Sequence, residues 1–360
     1  MFSGNRDGLT RTSTFSIEAV LGDKQITDEK ELVFNKIRFA YSNFREWLNK
    51  PTVFATLNYD DEKDDSILLK KFPDLKGSLN DSFDFEIEIR NTGSYGDTKG
   101  DFDISLEQYV TFGLISKDGK LFPIGEYLKL NKIIKNFFMF LQGRYVVEES
   151  IFCHKENEEP FPDDILPLIL FSRRFKQAKK LGVGEKFAYQ YNPFIFERIL
   201  QNWVKKYEKM PDFFDKFFEN WIKENISPID KFENLYQSLM FYYNYNFKKT
   251  RMSDEDYTSF FNNVLNKLEG NEKEFVERFR VQGNNISSRR QLGKIFEQLE
   301  YLKDKKNREH YVNAVVDVRN RIQHATENIG RDLLQDSSNM AHNLNSFTSS
   351  LILYEIEYEK

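Results

Sequence analysis

The chain has a single cysteine, Cys153, and no apolar run close to the roughly 20 residues that a bilayer-spanning helix needs. A lone thiol excludes an internal disulfide and fits a reducing compartment. With no second cysteine, and only the adjacent His154 nearby, a zinc site is not expected; the reading is an inert thiol near a surface loop. Leu166 to Phe171 is among the most apolar stretches, and the polar N-terminus has no signal-peptide core, so a cytoplasmic protein that does not engage membranes is expected. Excess positive charge is also missing: the formal net charge of -5 argues against indiscriminate coating of nucleic acid, which depends on neutralising phosphates. The acidic run Asp60 to Asp65 lacks the glycine and the closing glutamate of a calcium loop. Gly182-Val-Gly184-Glu-Lys lacks the spacing of a phosphate loop. No metal or cofactor is called for, and no internal repeat is visible.

What is present divides at about residue 190. At 360 residues the chain suits two domains. Residues 1–190 read mostly as strands, at Phe15 to Val20, Val53 to Asn58, Phe83 to Arg90 and Tyr109 to Ser116, where β-branched and aromatic residues concentrate. Turns are expected at Gly93-Ser-Tyr-Gly96, Gly100-Asp101 and Asp118-Gly119. One helix is expected over Ile124 to Gly143, then a Pro- and acid-rich passage from Glu156 to Asp164 and a strand at Ile165 to Phe171. Residues 191–360 read as helix almost throughout: Phe194 to Glu208, Asp212 to Glu224, Pro228 to Phe247, Ser253 to Leu268, Glu272 to Val281, Ser287 to Lys303, Arg308 to Ala325 and Met340 to Tyr358. Ser253 and Ser287 are the expected N-caps of two of these, and Gly270 is expected to close one. The fold class is therefore α+β, with a mostly β N-terminal domain and an all-α helical bundle after it. Clusters such as Phe213-Phe214, Phe217-Phe218 and Phe241-Tyr242-Tyr243 have the form of base-stacking platforms, but helical spacing assigns most of them to the core.

Charge is unevenly spread. Arg278 to Arg331 holds twelve Lys or Arg against six Asp or Glu, so the basic charge gathers in one segment of an acidic chain. Within it, Arg319-Asn320-Arg321-Ile322-Gln323-His324 falls near the end of an amphipathic helix whose apolar positions are Val312, Val315, Val316 and Ile322. Asn320 and His324, four apart, share a face, whereas Arg319 and His324 differ by about 140° on an ideal helix. One copy converges poorly. Two copies across a two-fold axis would set paired Arg and His groups around one phosphate.

These residue types suit metal-free RNA cleavage. Imidazole exchanges protons with the ribose 2′-hydroxyl or the leaving 5′-oxygen, and a guanidinium stabilises transition-state charge on the phosphate. Asn320 would orient either group. The expected products are a 2′,3′-cyclic phosphate and a 5′-hydroxyl. Arg319, Asn320 and His324 are the catalytic candidates, and Arg289, Arg290, Lys294 and Arg321 are the candidate RNA contacts. His310 and His342 read as surface or packing histidines. A helix C-terminus rich in cations simply because the macrodipole favours them is the plain alternative. An Arg four to six residues before a His arises by chance about 0.6 times in such a composition, but only roughly 0.02 times with Asn after the Arg and this spacing.

His310-Tyr-Val-Asn-Ala-Val-Val-Asp-Val-Arg-Asn-Arg-Ile-Gln-His324 resembles the signature helix of HEPN ribonucleases, whose motif is an Arg, commonly followed by a polar residue, then four to six residues and a His. More narrowly the chain is similar to ApeA-like HEPN proteins of bacterial anti-phage defence, through Phe34-Asn-Lys-Ile-Arg-Phe, Trp47-Leu48, and Ile104 to Gly143 leading into a helix. The resemblance implies a homodimeric endoribonuclease, a hydrolase activated in abortive infection, with tRNA a plausible target. It further implies that the β domain senses a phage component or restrains the nuclease, and that further N-terminal strands belong before Phe15, so that the chain reads as starting late. A non-catalytic RNA- or protein-binding HEPN module, or the toxin half of a toxin–antitoxin pair, are the other readings.

Overall fold

The computed structural model describes residues 32–49, 75–90, 108–153, 186–223, 225–280, 283–325 and 330–358 in full, and the backbone of several strands outside them. Two compact units divide the chain, Met1–Val204 and Lys205–Lys360. A β-rich unit followed by an all-helical one makes the architecture α+β.

The first unit is organised by a seven-stranded antiparallel sheet. In chain order its strands are β3 (Ala19–Leu21), β5 (Lys36–Tyr41), β8 (Leu75–Ser78), β9 (Phe83–Thr98), β10 (Asp101–Ser116), β12 (Glu148–His154) and β13 (Leu166–Leu170), and in space they run β3-β13-β12-β5-β10-β9-β8. Short pairs lie apart from it: β1 (Phe2–Arg6) with β2 (Leu9–Ser13), β6 (Val53–Thr56) with β7 (Ser66–Leu69), and β4 (Val33–Phe34) with β11 (Phe122–Pro123). Of the strand expected at Phe15 to Val20, Ala19 and Val20 fall in β3 and residues 15–18 lie outside the described residues; β1 and β2 come earlier in the chain. The acidic run at 60–65, the passage from 156 to 164 and the glycines at 182–184 lie outside the described residues.

Register makes one face of this sheet apolar. Phe112 stands opposite both Phe39 and Ile87, Leu114 opposite Ile37 and Phe85, and Ile151 opposite Phe39. All are buried. They meet α2 (Ile124–Gln142), whose Ile134, Phe137, Phe138 and Leu141 are buried in turn; Phe138 lies 5.6 Å from Phe112 and 5.2 Å from Tyr41. The helix stops where Gly143 takes φ +69, as a left-handed C-cap should, and a Cβ there would stand 2.8 Å from that of Ala188. A short helix, α1 (Phe44–Leu48), adds Phe44 and Trp47 to the same core.

The alternate positions carry ions. Glu86 pairs with Lys36 at 2.6 Å and Lys76 at 2.9 Å, and Glu88 with Arg38 at 2.5 Å and Arg90 at 2.6 Å. Burial alone would raise both carboxyl pKa values, but the hydrogen bonds from these cations outweigh it and hold both below the ordinary 4.5. A depressed folded-state pKa means stabilisation present at neutral pH and lost as pH falls through 4.5 and then through the folded value. Urea midpoints measured across that acid range should therefore fall with pH, and Glu86→Gln should flatten the dependence; an unchanged slope would reject the pairing as a source of stability.

Two expectations are corrected here. The turn expected at Gly93-Ser-Tyr-Gly96 is strand: β9 continues to Thr98, with Tyr95 opposite Ile104 and Gly96 opposite Asp103. A long two-strand ladder satisfies the backbone groups that a local turn would leave unpaired, and this overrides glycine's preference. Cys153 is not near a surface loop but buried in β12, opposite Ile37. Burial pushes its thiol up to about 12, so almost no thiolate exists at neutral pH. Folded protein should consume no thiol reagent within hours and one equivalent once unfolded; rapid labelling of the native chain would contradict this.

The second unit contains, among the described residues, α4 (Pro211–Ile222), α5 (Pro228–Asn246), α6 (Asp254–Leu265), α7 (Gly270–Glu277), α8 (Ser288–Phe296), α9 (Lys305–His324) and α10 (Arg331–Glu355). They are preceded by α3 (Phe196–Lys209), which begins in the first unit. α5 packs on α4 and α10. Phe213, Phe214, Phe217 and Phe218 of α4 are fully buried, as the helical spacing predicts for core aromatics. Ser253 caps α6 by accepting the Asp256 N–H, and Asp304 caps α9 by accepting that of Asn307. Ser287 occupies the N-cap of α8 without a side-chain bond. Gly270, expected to close a helix, instead opens α7 at φ +55. α6 has already ended at Leu265, so the left-handed residue serves the connection between the two helices.

Candidate functional site

α9 presents two different sides. Val312, Val315 and Val318 are its buried residues, while Val316 and Ile322 are half-buried. Arg319 follows Val312 and Val315 at the i, i+3, i+7 spacing of one stripe, and so turns inward. Its guanidinium lies 5.3 Å from the ring centroid of Tyr236, a buried residue of α5 that stacks in turn on Phe232. A cation over an aromatic face is attracted by the ring quadrupole, and Arg319 is held there by about 0.5–1 kcal/mol.

Opposite the stripe, Asp317, Asn320, Arg321 and His324 recur at i, i+3, i+4 and i+7 and form one exposed face. Neighbouring helices reach it from two sides. Arg289 of α8 approaches Asp317 at 4.0 Å, and Asp336 of α10 pairs with Arg321 at 2.5 Å. Arg290 and Lys294 are exposed on the same short helix as Arg289. Asn320, Arg321, His324 and Arg289 therefore border one surface, and of the three catalytic candidates Arg319 points elsewhere. Among the described residues no hydrogen bond or ion pair joins Arg319, Asn320 and His324 to one another. Within a single chain the guanidinium and the imidazole do not converge, as the 140° between them on an ideal helix requires.

Tyr236 and Asp336 were not legible as site residues. Tyr236 sits at helical spacing from Phe232 and Leu239 and reads as plain core, and no pattern links Asp336 to a residue fifteen positions earlier. Of the other histidines, His310 is exposed beside Tyr311, and His342 lines a cleft on α10. No group of His, Cys, Asp and Glu suited to hold a metal ion occurs among the described residues, and no described helix is long and apolar enough to cross a membrane.

An ion-paired antiparallel sheet unit, with a helical unit exposing an Asn, Arg and His face, defines an α+β protein of two parts whose polar chemistry gathers at the end of one helix. The chain belongs to the ApeA family of anti-phage defence proteins: the family model for ApeA N-terminal domain 1 matches residues 2–221, well over half of it. The match runs through the sheet unit and α3 and ends inside α4. No curated protein and no solved structure matches the chain.

Proposed function

We propose that this protein is a metal-independent HEPN endoribonuclease of anti-phage defence, acting in the cytoplasm as a homodimer on RNA, with tRNA a plausible substrate. The observation that carries this reading is the exposed face of α9, where His324 and Asn320 stand together beside Arg321 and Arg289, with Arg319 half-buried on the adjoining side. A second α9 across a two-fold axis would bring two imidazoles and two guanidiniums to one phosphodiester. One imidazole takes the proton of the ribose 2′-hydroxyl as that oxygen bonds to phosphorus. The bond to the 5′-oxygen breaks, and the other imidazole protonates the departing oxygen. A 2′,3′-cyclic phosphate and a 5′-hydroxyl result, and the guanidiniums stabilise the charge gathering on the phosphoryl oxygens. Arg289, Arg290, Lys294 and Arg321 position the strand by its backbone. The sheet unit serves as the sensor for a phage-derived trigger or as the restraint on cleavage.

The test is incubation of purified protein with total tRNA in EDTA, followed by mapping of fragment ends. Cyclic phosphates at discrete positions support the proposal, and fragments carrying 5′-phosphate reject the chemistry. One observation favours a second reading: Arg319 already has an aromatic partner within its own chain. If the protein retains RNA without cutting it, α9 is a binding face and not a catalytic one.

A further inference from the structure

A second feature of the helical unit has no part in that chemistry. Between α4, α5 and α10 lies an open cleft of about 350 Å³ lined by Asn220, Trp221, Lys231, Ser338, His342 and Asn345. This volume falls at the lower end of the roughly 300–1,000 Å³ typical of small-molecule sites. Its lining is specific in kind. Trp221 is half-buried and braced from behind, its ring 6.0 Å from Phe217 and 5.9 Å from Phe218, both fully buried, so an indole is fixed in the wall without being swallowed by the core. Lys231, one turn into α5, and His342 on α10 bring an ammonium and an imidazole to the same cleft from different helices. Neither side chain forms an ion pair or hydrogen bond among the described residues. Asn220 is oriented: its Oδ1 accepts from Asn234 at 3.0 Å and its amide nitrogen lies 3.4 Å from the Lys231 carbonyl. Asn345 adds a second carboxamide.

An aromatic wall, two nitrogen donors in one cleft suited to an anion, and carboxamides able to donate and accept match the three parts of a nucleotide. We infer that this cleft binds a single nucleotide unit, its phosphate on Lys231 and His342, its base against Trp221, and its polar edges read by Asn220 and Asn345. The unit comes from a free mononucleotide or from one residue of an RNA strand. The inference does not depend on the proposed role of His324.

Indole fluorescence of the full chain reports the site directly, because Trp203 is wholly buried and Trp47 is 2 % exposed, leaving Trp221 as the accessible emitter. A nucleoside 5′-monophosphate should quench emission saturably, and the matching nucleoside should bind about tenfold more weakly for want of one charge-assisted contact. Lys231→Glu should weaken the monophosphate about tenfold or more and His342→Ala several-fold; both residues are exposed, so melting temperatures should not move. Trp221→Phe should remove the quench while calorimetry still detects binding. A short unstructured oligoribonucleotide binding tighter than the mononucleotide identifies a strand as the source, and equal or weaker binding identifies the free nucleotide. No quench by either ligand, a quench that survives Trp221→Phe, or an affinity indifferent to Lys231→Glu overturns the inference. His324→Ala should leave this binding intact, so loss of cleavage there and loss of binding here are separate outcomes.

Discussion

In single-turnover assays with RNA, His324→Ala should slow cleavage by about a thousandfold or more, since positioned general acid–base catalysis contributes roughly 10²–10⁴ and the symmetric arrangement removes both proton-transfer groups at once. Arg319→Ala should cost about 10²–10³, the range for losing one preorganised donor to a developing charge. Arg319→Lys should fall between, because it keeps the charge but loses the planar fork. Stability separates these effects from misfolding. His324 is exposed at the last residue of α9, so its removal should leave the melting temperature within experimental error. Arg319→Ala should cost about 0.5–1 kcal/mol through the lost contact with Tyr236. Cleavage by His324→Ala within a few-fold of wild type would end the proposed mechanism.

The largest effect on folding is expected at Trp203. It is fully buried in α3, its ring 5.3 Å from Phe137 and 5.7 Å from Phe140 of α2, and its indole N–H donates to the Ile133 carbonyl at 2.9 Å. That carbonyl lies inside α2. One side chain thus fastens α3 to the helix that covers the sheet, by area and by a directed bond. Trp203→Ala opens a cavity that close-packed rings cannot fill and should destabilise the sheet unit by about 3–5 kcal/mol. For a unit of this size each kcal/mol lowers the melting temperature by roughly 2–4 °C, a shift plain in a calorimetric scan. Trp203→Phe keeps most of the packing and loses the donor, and should cost about 1–2 kcal/mol. A fall of under about 1 kcal/mol in Trp203→Ala would mean that α3 does not depend on this anchor.

Legibility followed the range of the signal. In the helical half, apolar positions recur every three or four residues, and α3, α4, α5 and α9 begin and end close to where that period and the caps put them. α10 begins at Arg331, nine residues ahead of the expected Met340, because its first turns carry Asp332, Gln335 and Asp336 and show little apolar period; Asp336 is instead engaged by Arg321. In the sheet half, β9 and β10 were visible only where Phe and Ile alternate. The distal half of β9, Asn91–Thr98, is polar with glycines at 93 and 96, and becomes strand by pairing with Asp101–Glu107 of β10, where Phe102, Ile104 and Leu106 alternate with polar residues. β5 and β12 were not anticipated as strands, although in β5 Lys36 and Arg38 alternate with buried Ile37 and Phe39; their ions find partners in Glu86 and Glu88 only across the sheet, as Glu148 of β12 finds Lys135.

The residue order by itself determined a β-rich part followed by an all-helical one, the amphipathic helix ending at His324, and the motif on it, because hydrophobic period and helical angle are properties of neighbours along the chain. Only tertiary structure decided which way each member of the motif faces: α5 supplies the ring that draws Arg319 inward, and α8 and α10 supply the ions that border the His324 face. It also brought Trp221, Lys231 and His342, spread over more than a hundred residues, around one cleft. Contacts between helices far apart in sequence depend on how whole faces pack, and no local pattern encodes them.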